Sequence, residues 1–267
     1  MEKRPTSQLI AGLFSFPFVE LRLKILSMNF ATILVSITEV MCMCGRFTLT
    51  ATFEEIIDRF DIQSFMEEEL YSPSYNIAPS QAVLAVINDG KKNRMGFLKW
   101  GLVPPWAKDG SIGNKMINAR AETIAEKPSF RAAFKKKRCL VIADSFYEWK
   151  RHNNQTKTPM RIKLKSNDLF AMAGIWEGWK SPEGKTLYTC SVITTGPNKL
   201  MKDIHDRMPV ILLPENEKTW LDPSISDSSQ LHSLLVPFDE KLMETYEVSP
   251  LVNSPKNNSI DLIQKIC

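Results

Sequence analysis

The chain has 267 residues, 43% of them hydrophobic and 24% charged, which is an ordinary globular composition with enough apolar material for one sizeable core or two small ones. Its net charge of +4 permits nucleic-acid binding without indicating it. The five cysteines form an odd set without a CxxC pair, so a disulfide framework and a zinc site are disfavoured and a reducing compartment, the cytoplasm, is expected. Cys139 and Cys190 lie in apolar runs and are predicted to be buried thiols.

The first 43 residues differ from the rest of the chain. The stretch Leu9–Val40 is rich in apolar residues, but three charges interrupt it between positions 20 and 24. Its uninterrupted apolar part, Phe30–Ile37, is far shorter than the ~20 residues that span a bilayer, and no A-x-A cleavage site follows. We therefore predict that residues 1–43 are an upstream start or a removable leader, with Met43 as the working initiator. A signal peptide is the alternative.

From residue 44 onward the pattern predicts one domain, over residues 44–267. Thr52 and Glu55 form a capping box ahead of an apolar face, which predicts a short helix over residues 53–61. Short apolar or alternating runs predict strands over residues 82–87, 97–100, 139–143, 160–165, 169–176, 187–193 and 209–213. Weaker helical patterns cover residues 129–137, 215–221 and 228–235. Many short strands without βαβ alternation predict an α+β fold with a mainly antiparallel β pseudo-barrel core and short surrounding helices.

Four segments place polar residues in apolar or rigid surroundings. They are Cys44–Phe47, Ile117–Thr123, Phe146–Trp149 at the end of the strand over residues 139–143, and His205–Pro209. Each has a purely structural interpretation: the cysteine as a buried thiol, the glutamate within Phe146–Trp149 as a solvated edge residue, and the histidine as a packing residue. Taken singly, none of the four is specific for a function.

Taken together, the segments resemble one family. The order CGRF, YNIAP, WGLVPPW, NARAET, FYEW and HDRMP resembles that of the SRAP family, the SOS-response-associated peptidases, which include abasic-site processing proteins of bacteria and eukaryotes. The resemblance runs from Cys44 to about Gln264. It implies that the initiator methionine is removed and that the cysteine becomes the first residue. Here the matching Cys44 departs from that pattern, because 43 residues precede it.

The resemblance implies a chemistry that requires an N-terminal cysteine. An α-amine has a pKa of about 7.7–8.0, against about 10.4 for lysine, so much of it is neutral near pH 7–8 and can attack the aldehyde of a ring-opened abasic sugar. The thiol of the same residue can then close a thiazolidine ring. By the same resemblance, Glu148 and His205 transfer protons, Asn118 positions the cysteine or the sugar, and Thr194 lines the site. The aromatic neighbours of Glu148 are expected to raise its pKa.

The resemblance also implies a surface for single-stranded DNA that contains abasic sites. Arg46 and Arg120 would contact the phosphates that flank the abasic sugar. Pro79 and Trp106 would shape the strand-binding surface and stack on bases. Ala107 departs from relatives that carry a second tryptophan there, so weaker stacking is expected.

Two alternatives stay open from the sequence. The first is a thiol peptidase with Cys44 as nucleophile and His205 as base, and the second is a non-catalytic nucleic-acid-binding barrel behind a membrane or secretory leader. The basic run Lys135–Arg138 is predicted to be a solvated helix end. We expect a monomer with no cofactor, no metal and no membrane association, and a lyase side activity from an imine that does not close.

Overall fold

The computed structural model describes residues 44–152 and 156–266, so the predicted extension over residues 1–43 lies outside it. Thirteen strands and five α-helices are present in the described ranges. The strands are β1 Phe47–Leu49, β2 Ser74–Ile77, β3 Ala82–Asn88, β4 Asn93–Trp100, β5 Asn118–Arg120, β6 Arg138–Ala143, β7 Ser145–Arg151, β8 Lys157–Leu164, β9 Phe170–Lys180, β10 Thr186–Thr195, β11 Met208–Pro209, β12 Ile211–Leu212 and β13 Met243–Glu247. The helices are α1 Phe53–Arg59, α2 Arg131–Lys136, α3 Lys199–Lys202, α4 Pro214–Leu221 and α5 Ser228–Ser233.

Five strands close into a ring at the centre of the fold. β10 pairs with β4, β4 with β3, β3 with β6, β6 with β9, and β9 with β10 again. Only the contact between β10 and β4 is parallel, and the other four are antiparallel. β5, β11 and β12 attach to β10 and β9 at the margin of this ring. The predicted α+β class with a mainly antiparallel barrel-like core and short helices is therefore confirmed.

A second, fully antiparallel sheet carries part of the site. Its strand order is β13-β8-β7-β1-β2. The chain passes from the ring to this sheet at Asp144, between β6 and β7. The sequence analysis placed Phe146–Trp149 at the end of the strand over residues 139–143, which is wrong: these residues lie in β7, a strand of the other sheet.

Most predicted elements are present with shifted bounds. The capping box ahead of α1 makes both of its hydrogen bonds, since Thr52 Oγ1 accepts from Glu55 N at 3.2 Å and the Glu55 carboxylate accepts from Thr52 N at 2.7 Å. The strand predicted over residues 209–213 is split into β11 and β12. Strands β1, β2, β5 and β13 were missed because three to five residues are too few to show alternation.

The burial of individual side chains tests two predictions, that Cys139 and Cys190 are core thiols and that Lys135–Arg138 form a solvated helix end. Cys139 and Cys190 are fully buried, which confirms that they are core thiols. The prediction of a solvated basic run is wrong for Arg138, which is buried and donates hydrogen bonds to five backbone carbonyls, among them Trp220 O at 2.6 Å and Phe134 O at 3.0 Å. Within the described ranges, no helix combines the length and the apolar character needed to cross a bilayer.

Candidate active site

Strand pairing in the second sheet brings Cys44 next to Glu148. Phe47 pairs with Phe146 across β1 and β7, and Tyr147 N donates to Arg46 O at 2.9 Å, which extends the pairing one residue toward the cysteine. Side chains alternate along a strand, so Glu148 points away from the face of its two aromatic neighbours. Those neighbours pack on the C-terminal segment, where Tyr147 Oη donates to Leu262 O at 3.3 Å and Trp149 Nε1 donates to Asn253 Oδ1 at 2.7 Å.

Asn118 fixes the backbone of the cysteine. It begins β5, which lies parallel to β10, and its side-chain Nδ2 donates to Cys44 O at 3.0 Å. Its Oδ1 is buried and has no hydrogen-bond partner in the described part of the chain. Thr194, fully buried near the end of β10, pairs with Arg120 of β5 on one side and with Pro209 of β11 on the other. The contact between Asn118 and Cys44, together with the pairing of β5 and β11 with β10, therefore brings three predicted site segments together: Cys44–Phe47, Ile117–Thr123 and His205–Pro209.

His205 is held by the loop that leads into β11. Its backbone N donates to Met201 O at 2.8 Å, at the end of α3. Its ring Nδ1 lies 3.1 Å from the Arg207 backbone N, which donates to it, and 3.2 Å from both Arg207 O and the Asp206 carboxylate. When Nδ1 carries no proton, it accepts a hydrogen bond from Arg207 N. When it carries one, it can donate to Arg207 O or to the Asp206 carboxylate. A ring that keeps a partner in both states is suited to moving protons.

Cys44, Glu148 and His205 form one buried cluster. The Cys44 Sγ, a Glu148 carboxylate oxygen and a His205 ring nitrogen all lie within 4.8 Å of one another. Glu148 is 1% exposed, and its Oε1 has no hydrogen-bond partner among the described residues. Burial raises the pKa of the Glu148 carboxyl, against the opposite influence of His205 and Cys44. The predicted direction of the shift is confirmed, but the predicted cause is wrong, because Tyr147 and Trp149 lie on the other face of β7. Burial, followed by the charge of Glu148, raises the pKa of the Cys44 thiol well above its ordinary value.

Arg207 joins the parts of this cluster, although the sequence analysis did not select it. Its backbone carbonyl accepts from Cys44 Sγ at 3.6 Å and lies beside His205 Nδ1. Its guanidinium forms two hydrogen bonds with Glu122, at 2.7 and 2.9 Å, and donates to Thr194 O at 2.6 Å. Arg207 lies in the HDRMP motif and Glu122 in the NARAET motif, and the opposite charges of the two residues were the available signal.

Arg46 is held by the protein more firmly than a free phosphate-binding residue would be. Its Nη1 donates to Asn76 Oδ1 at 2.8 Å and to Val252 O at 2.7 Å, and its guanidinium lies 5.8 Å from the centre of the Trp149 ring. Burial lowers its pKa. Asn76 also donates to Ser254 O and two other carbonyls of the C-terminal segment. The pair therefore anchors that segment over β1 and β2.

The remaining predicted DNA-contact residues lie nearer the surface. Arg120 is exposed at the end of β5, Pro79 is half-buried after β2, and Trp106 is 60% exposed. The loop that carries Trp106 begins at Gly101, whose φ of +127° favours glycine. A Cβ there would lie 2.6 Å from Gly113 O, so only glycine allows the two backbone segments to pack this closely.

A sizeable cavity lies away from this cluster. It measures about 640 Å³ and lies beyond the other end of β1, where Thr50, Arg59 and Asp144 are among the residues that line it. A much smaller one, of about 10 Å³, borders Cys44. The larger cavity and the convergence of titratable groups thus lie in different places in the described chain.

Comparison with known proteins shows similarity over most of the chain. Residues 43–255 match the family described as SOS response associated peptidase (SRAP). The chain is 64% identical over 222 residues to "Abasic site processing protein YoqW" of Bacillus subtilis, which covers 83% of this chain and 99% of the relative. It is 31% identical to "Abasic site processing protein HMCES" of Rattus norvegicus, over 81% of this chain and 74% of the relative. A crystal structure of a protein from Bacteroides thetaiotaomicron, 32% identical, superposes with a TM-score of 0.76 and covers 84% of this chain and all of its own.

Proposed function

The chain belongs to the SOS response associated peptidase family, and from that premise we propose that it captures abasic sites in single-stranded DNA as a covalent adduct on Cys44. The observation that carries the proposal is the buried cluster of Cys44, Glu148 and His205, in which a thiol, a carboxyl of raised pKa and an imidazole lie within 4.8 Å of one another. The relatives that share its sequence are abasic site processing proteins by name.

Capture requires that Cys44 be the first residue. Its neutral α-amine attacks the aldehyde carbon of the ring-opened abasic sugar, and loss of water leaves a C=N imine. The Cys44 sulfur then adds to the imine carbon, its proton passes to the nitrogen, and a five-membered thiazolidine closes. An internal cysteine has no such amine. The family match begins at residue 43, directly before Cys44, which supports either initiation at Met43 followed by removal of that methionine, or cleavage of a leader.

The neighbouring side chains have distinct roles in this reaction. Glu148, whose pKa is raised by burial, donates a proton to open the sugar ring and to release water from the carbinolamine. His205 receives the proton displaced from the attacking amine, and its Nδ1 keeps a partner in either protonation state. Asn118 holds the carbonyl of Cys44 and thereby aims its amine. Thr194 fixes the Arg207 side chain through its backbone carbonyl.

Two side reactions follow from the same groups. An imine that does not close can lose the 3′ phosphate by β-elimination, which gives lyase activity. Removal of whatever precedes Cys44 by the same acid and base groups would be an intramolecular peptidase reaction. The DNA strand itself would lie on Arg120 and Trp106, with Pro79 shaping the surface and Arg46 contributing less, since two of its hydrogen bonds already go to the protein.

A denaturing gel tests the proposal. The protein is expressed in its host, its intact mass is measured to locate the first residue, and it is mixed with a single-stranded oligonucleotide that carries one abasic site. We expect a heat-stable adduct from the protein that begins at Cys44, at least 100-fold less with Cys44→Ala, and strand nicking without a stable adduct from Cys44→Ser. Cys139→Ala, which removes another buried thiol, is the matched control and keeps the adduct. A stable adduct from Cys44→Ala would refute the proposal.

A thiol peptidase that acts on unrelated substrates is less well supported. Such an enzyme needs a thiolate at neutral pH, and therefore a cysteine pKa below its ordinary value. Burial and Glu148 instead raise the pKa of the Cys44 thiol. Nucleophilic attack by the α-amine, followed by the thiol, is compatible with a cysteine that stays protonated until the imine has formed.

A further inference from the structure

The cluster of Cys44, Glu148 and His205 also has the composition of a metal site. One ligand atom of each residue lies within 4.8 Å of the other two, and all three side chains are buried. Glu148 contributes a carboxylate oxygen to the cluster, and its Oε1 is a buried acceptor without a hydrogen-bond partner in the described chain. A buried acceptor of this kind is stabilised by a cation.

The proposed function supplies a fourth ligand, and the inference rests on it at this step. Once Cys44 is the first residue, its α-amine and its thiolate stand two carbons apart and can chelate one ion in a five-membered ring. The complete set is then one sulfur, two nitrogens and one carboxylate oxygen. This set suits Zn²⁺, which takes Cys, His and carboxylate ligands in tetrahedral geometry, and it does not suit Mg²⁺ or Ca²⁺, which prefer oxygen.

We propose that the processed protein binds one Zn²⁺ through the Cys44 amine and Sγ, Glu148 and His205, and that this ion reversibly blocks the capture of abasic sites. Zinc would be an inhibitor here and not a cofactor. The sequence analysis predicts no metal because it finds no CxxC spacing. These ligands come from three segments that are separated by 104 and 57 residues, as their numbers show, so no local spacing could reveal them.

The surroundings fit this assignment. Ligand atoms around a tetrahedral zinc lie about 3.3–3.8 Å apart, and the three atoms here lie within 4.8 Å of one another, so binding would need an adjustment of at most about 1.5 Å. Asn118 already fixes the backbone of Cys44, and the Arg207 backbone orients the His205 ring, as outer partners do around metal ligands. Binding releases the thiol proton, and the amine proton where one is present, to solvent.

Inhibition follows from the electron pairs involved. The amine lone pair that attacks the aldehyde and the sulfur lone pair that closes the ring would both be donated to zinc. Bound zinc would therefore prevent the imine as well as the thiazolidine, and a chelator would restore both. It would also shield the thiolate from oxidation.

Zinc binding is measured without DNA. Processed protein, with Cys44 verified as residue one by mass, is stripped with EDTA and titrated with Zn²⁺ against a chromophoric chelator. We expect one Zn²⁺ per chain, at least tenfold weaker binding in Cys44→Ser and in Glu148→Gln, and unchanged binding in Cys139→Ala. A protein with one uncleavable residue added before Cys44 loses the amine ligand and should also bind at least tenfold more weakly. Absence of zinc binding, or binding that is unchanged in Cys44→Ser, would overturn the proposal.

The second arm measures capture. One equivalent of Zn²⁺ should slow adduct formation on the abasic oligonucleotide at least tenfold, EDTA should restore it, and Mg²⁺ should have no effect. An unchanged capture rate in zinc-loaded protein would overturn the inhibition. The failure of the proposed function looks different: zinc-free processed protein would then form no adduct at all, whereas its zinc titration would still show one site.

Discussion

Two carboxylates near the start of β7, Asp144 and Glu148, are both shielded from solvent but differ in their hydrogen bonding. Asp144 accepts from Thr50 N at 2.5 Å, from Thr50 Oγ1 at 2.7 Å and from the Thr48 hydroxyl, and it lies 3.7 Å from Arg161 Nη2. Glu148 has one oxygen without any partner in the described chain. A fully hydrogen-bonded acid directly before β7 and an acid with an unpaired oxygen within β7 thus lie four residues apart.

The difference indicates how a structural acid is distinguished from a reactive one. A buried acceptor that is fully hydrogen-bonded contributes to stability, whereas an unpaired acceptor costs about 1–3 kcal/mol and persists where a reaction uses it. Neither burial nor cavity size separates the two, because the cavity of about 640 Å³ borders Asp144 and not Glu148. Each of the following predictions tests this distinction.

Removing the satisfied acid should produce the largest effect, and that effect should be on stability. Asp144→Ala leaves the Thr50 backbone N without its acceptor and the largely buried Arg161 guanidinium without its carboxylate partner, so the free energy of unfolding should fall by about 3–5 kcal/mol. Urea denaturation measures it. Asp168→Ala, an exposed acid that borders the same cavity, should change stability by less than about 0.5 kcal/mol. The folded fraction of Asp144→Ala should capture abasic DNA at the wild-type rate, and a large loss there would make Asp144 reactive too.

Replacing Glu148, the acid with an unpaired oxygen, should lower the rate of capture without lowering stability. Glu148→Gln keeps the shape but cannot donate an acidic proton, so the single-turnover rate of adduct formation should fall by about 100-fold. Its stability near neutral pH should rise by about 1 kcal/mol, because a buried charge is removed. The exposed Glu247→Gln is the matched control and should alter neither quantity. An unchanged rate in Glu148→Gln would remove Glu148 from the mechanism.

The stability gain of Glu148→Gln should depend on pH with a defined sign. The pKa of Glu148 is raised in the folded state above the ordinary 4.5, so between these values the folded state binds more protons than the unfolded state. The protonated Glu148 therefore makes its full contribution to wild-type stability below about pH 4.5. This contribution is lost as the pH rises through the pKa that Glu148 has in the folded state. Unfolding curves of both proteins at several pH values should converge in acid and separate toward neutrality. If the stability difference between the two proteins did not change with pH, its cause would be packing and not ionisation of Glu148.

Local patterns in the sequence predicted the barrel strands and the first helix, because apolar runs and a capping box are readable within ten residues. The second sheet was largely missed, since β1, β2 and β13 have three to five residues each. The motifs did identify Cys44, Glu148 and His205, and the strands bring these distant positions together. The contact of Arg207 with Cys44 runs through a backbone carbonyl, which leaves no trace in residue type.

Arg46 also shows that residue type alone does not reveal contacts with the backbone. Its motif predicted a phosphate contact, but its Nη1 is bound by Asn76 and Val252, two residues that lie 30 and 206 positions away. Sequence reasoning could identify the charge but not the carbonyl that holds it. Arg120 has the same charge but lies exposed at the end of β5.

These two arginines give the prediction with the smallest effect. Arg120→Gln should remove about one phosphate contact and so lower the slope of log affinity against log salt for single-stranded DNA by about 0.7, with stability unchanged. Arg46→Gln should change that slope by at most about half as much, but should lower the free energy of unfolding by about 1–3 kcal/mol, because Val252 O and Asn76 Oδ1 lose their donor. Fluorescence anisotropy between about 50 and 200 mM salt and urea denaturation measure the two quantities. If Arg46→Gln instead lowers the slope as much as Arg120→Gln and leaves stability intact, the Arg46 guanidinium leaves Asn76 and Val252 for the phosphate, and its hydrogen bonds to the protein do not limit its role in DNA binding.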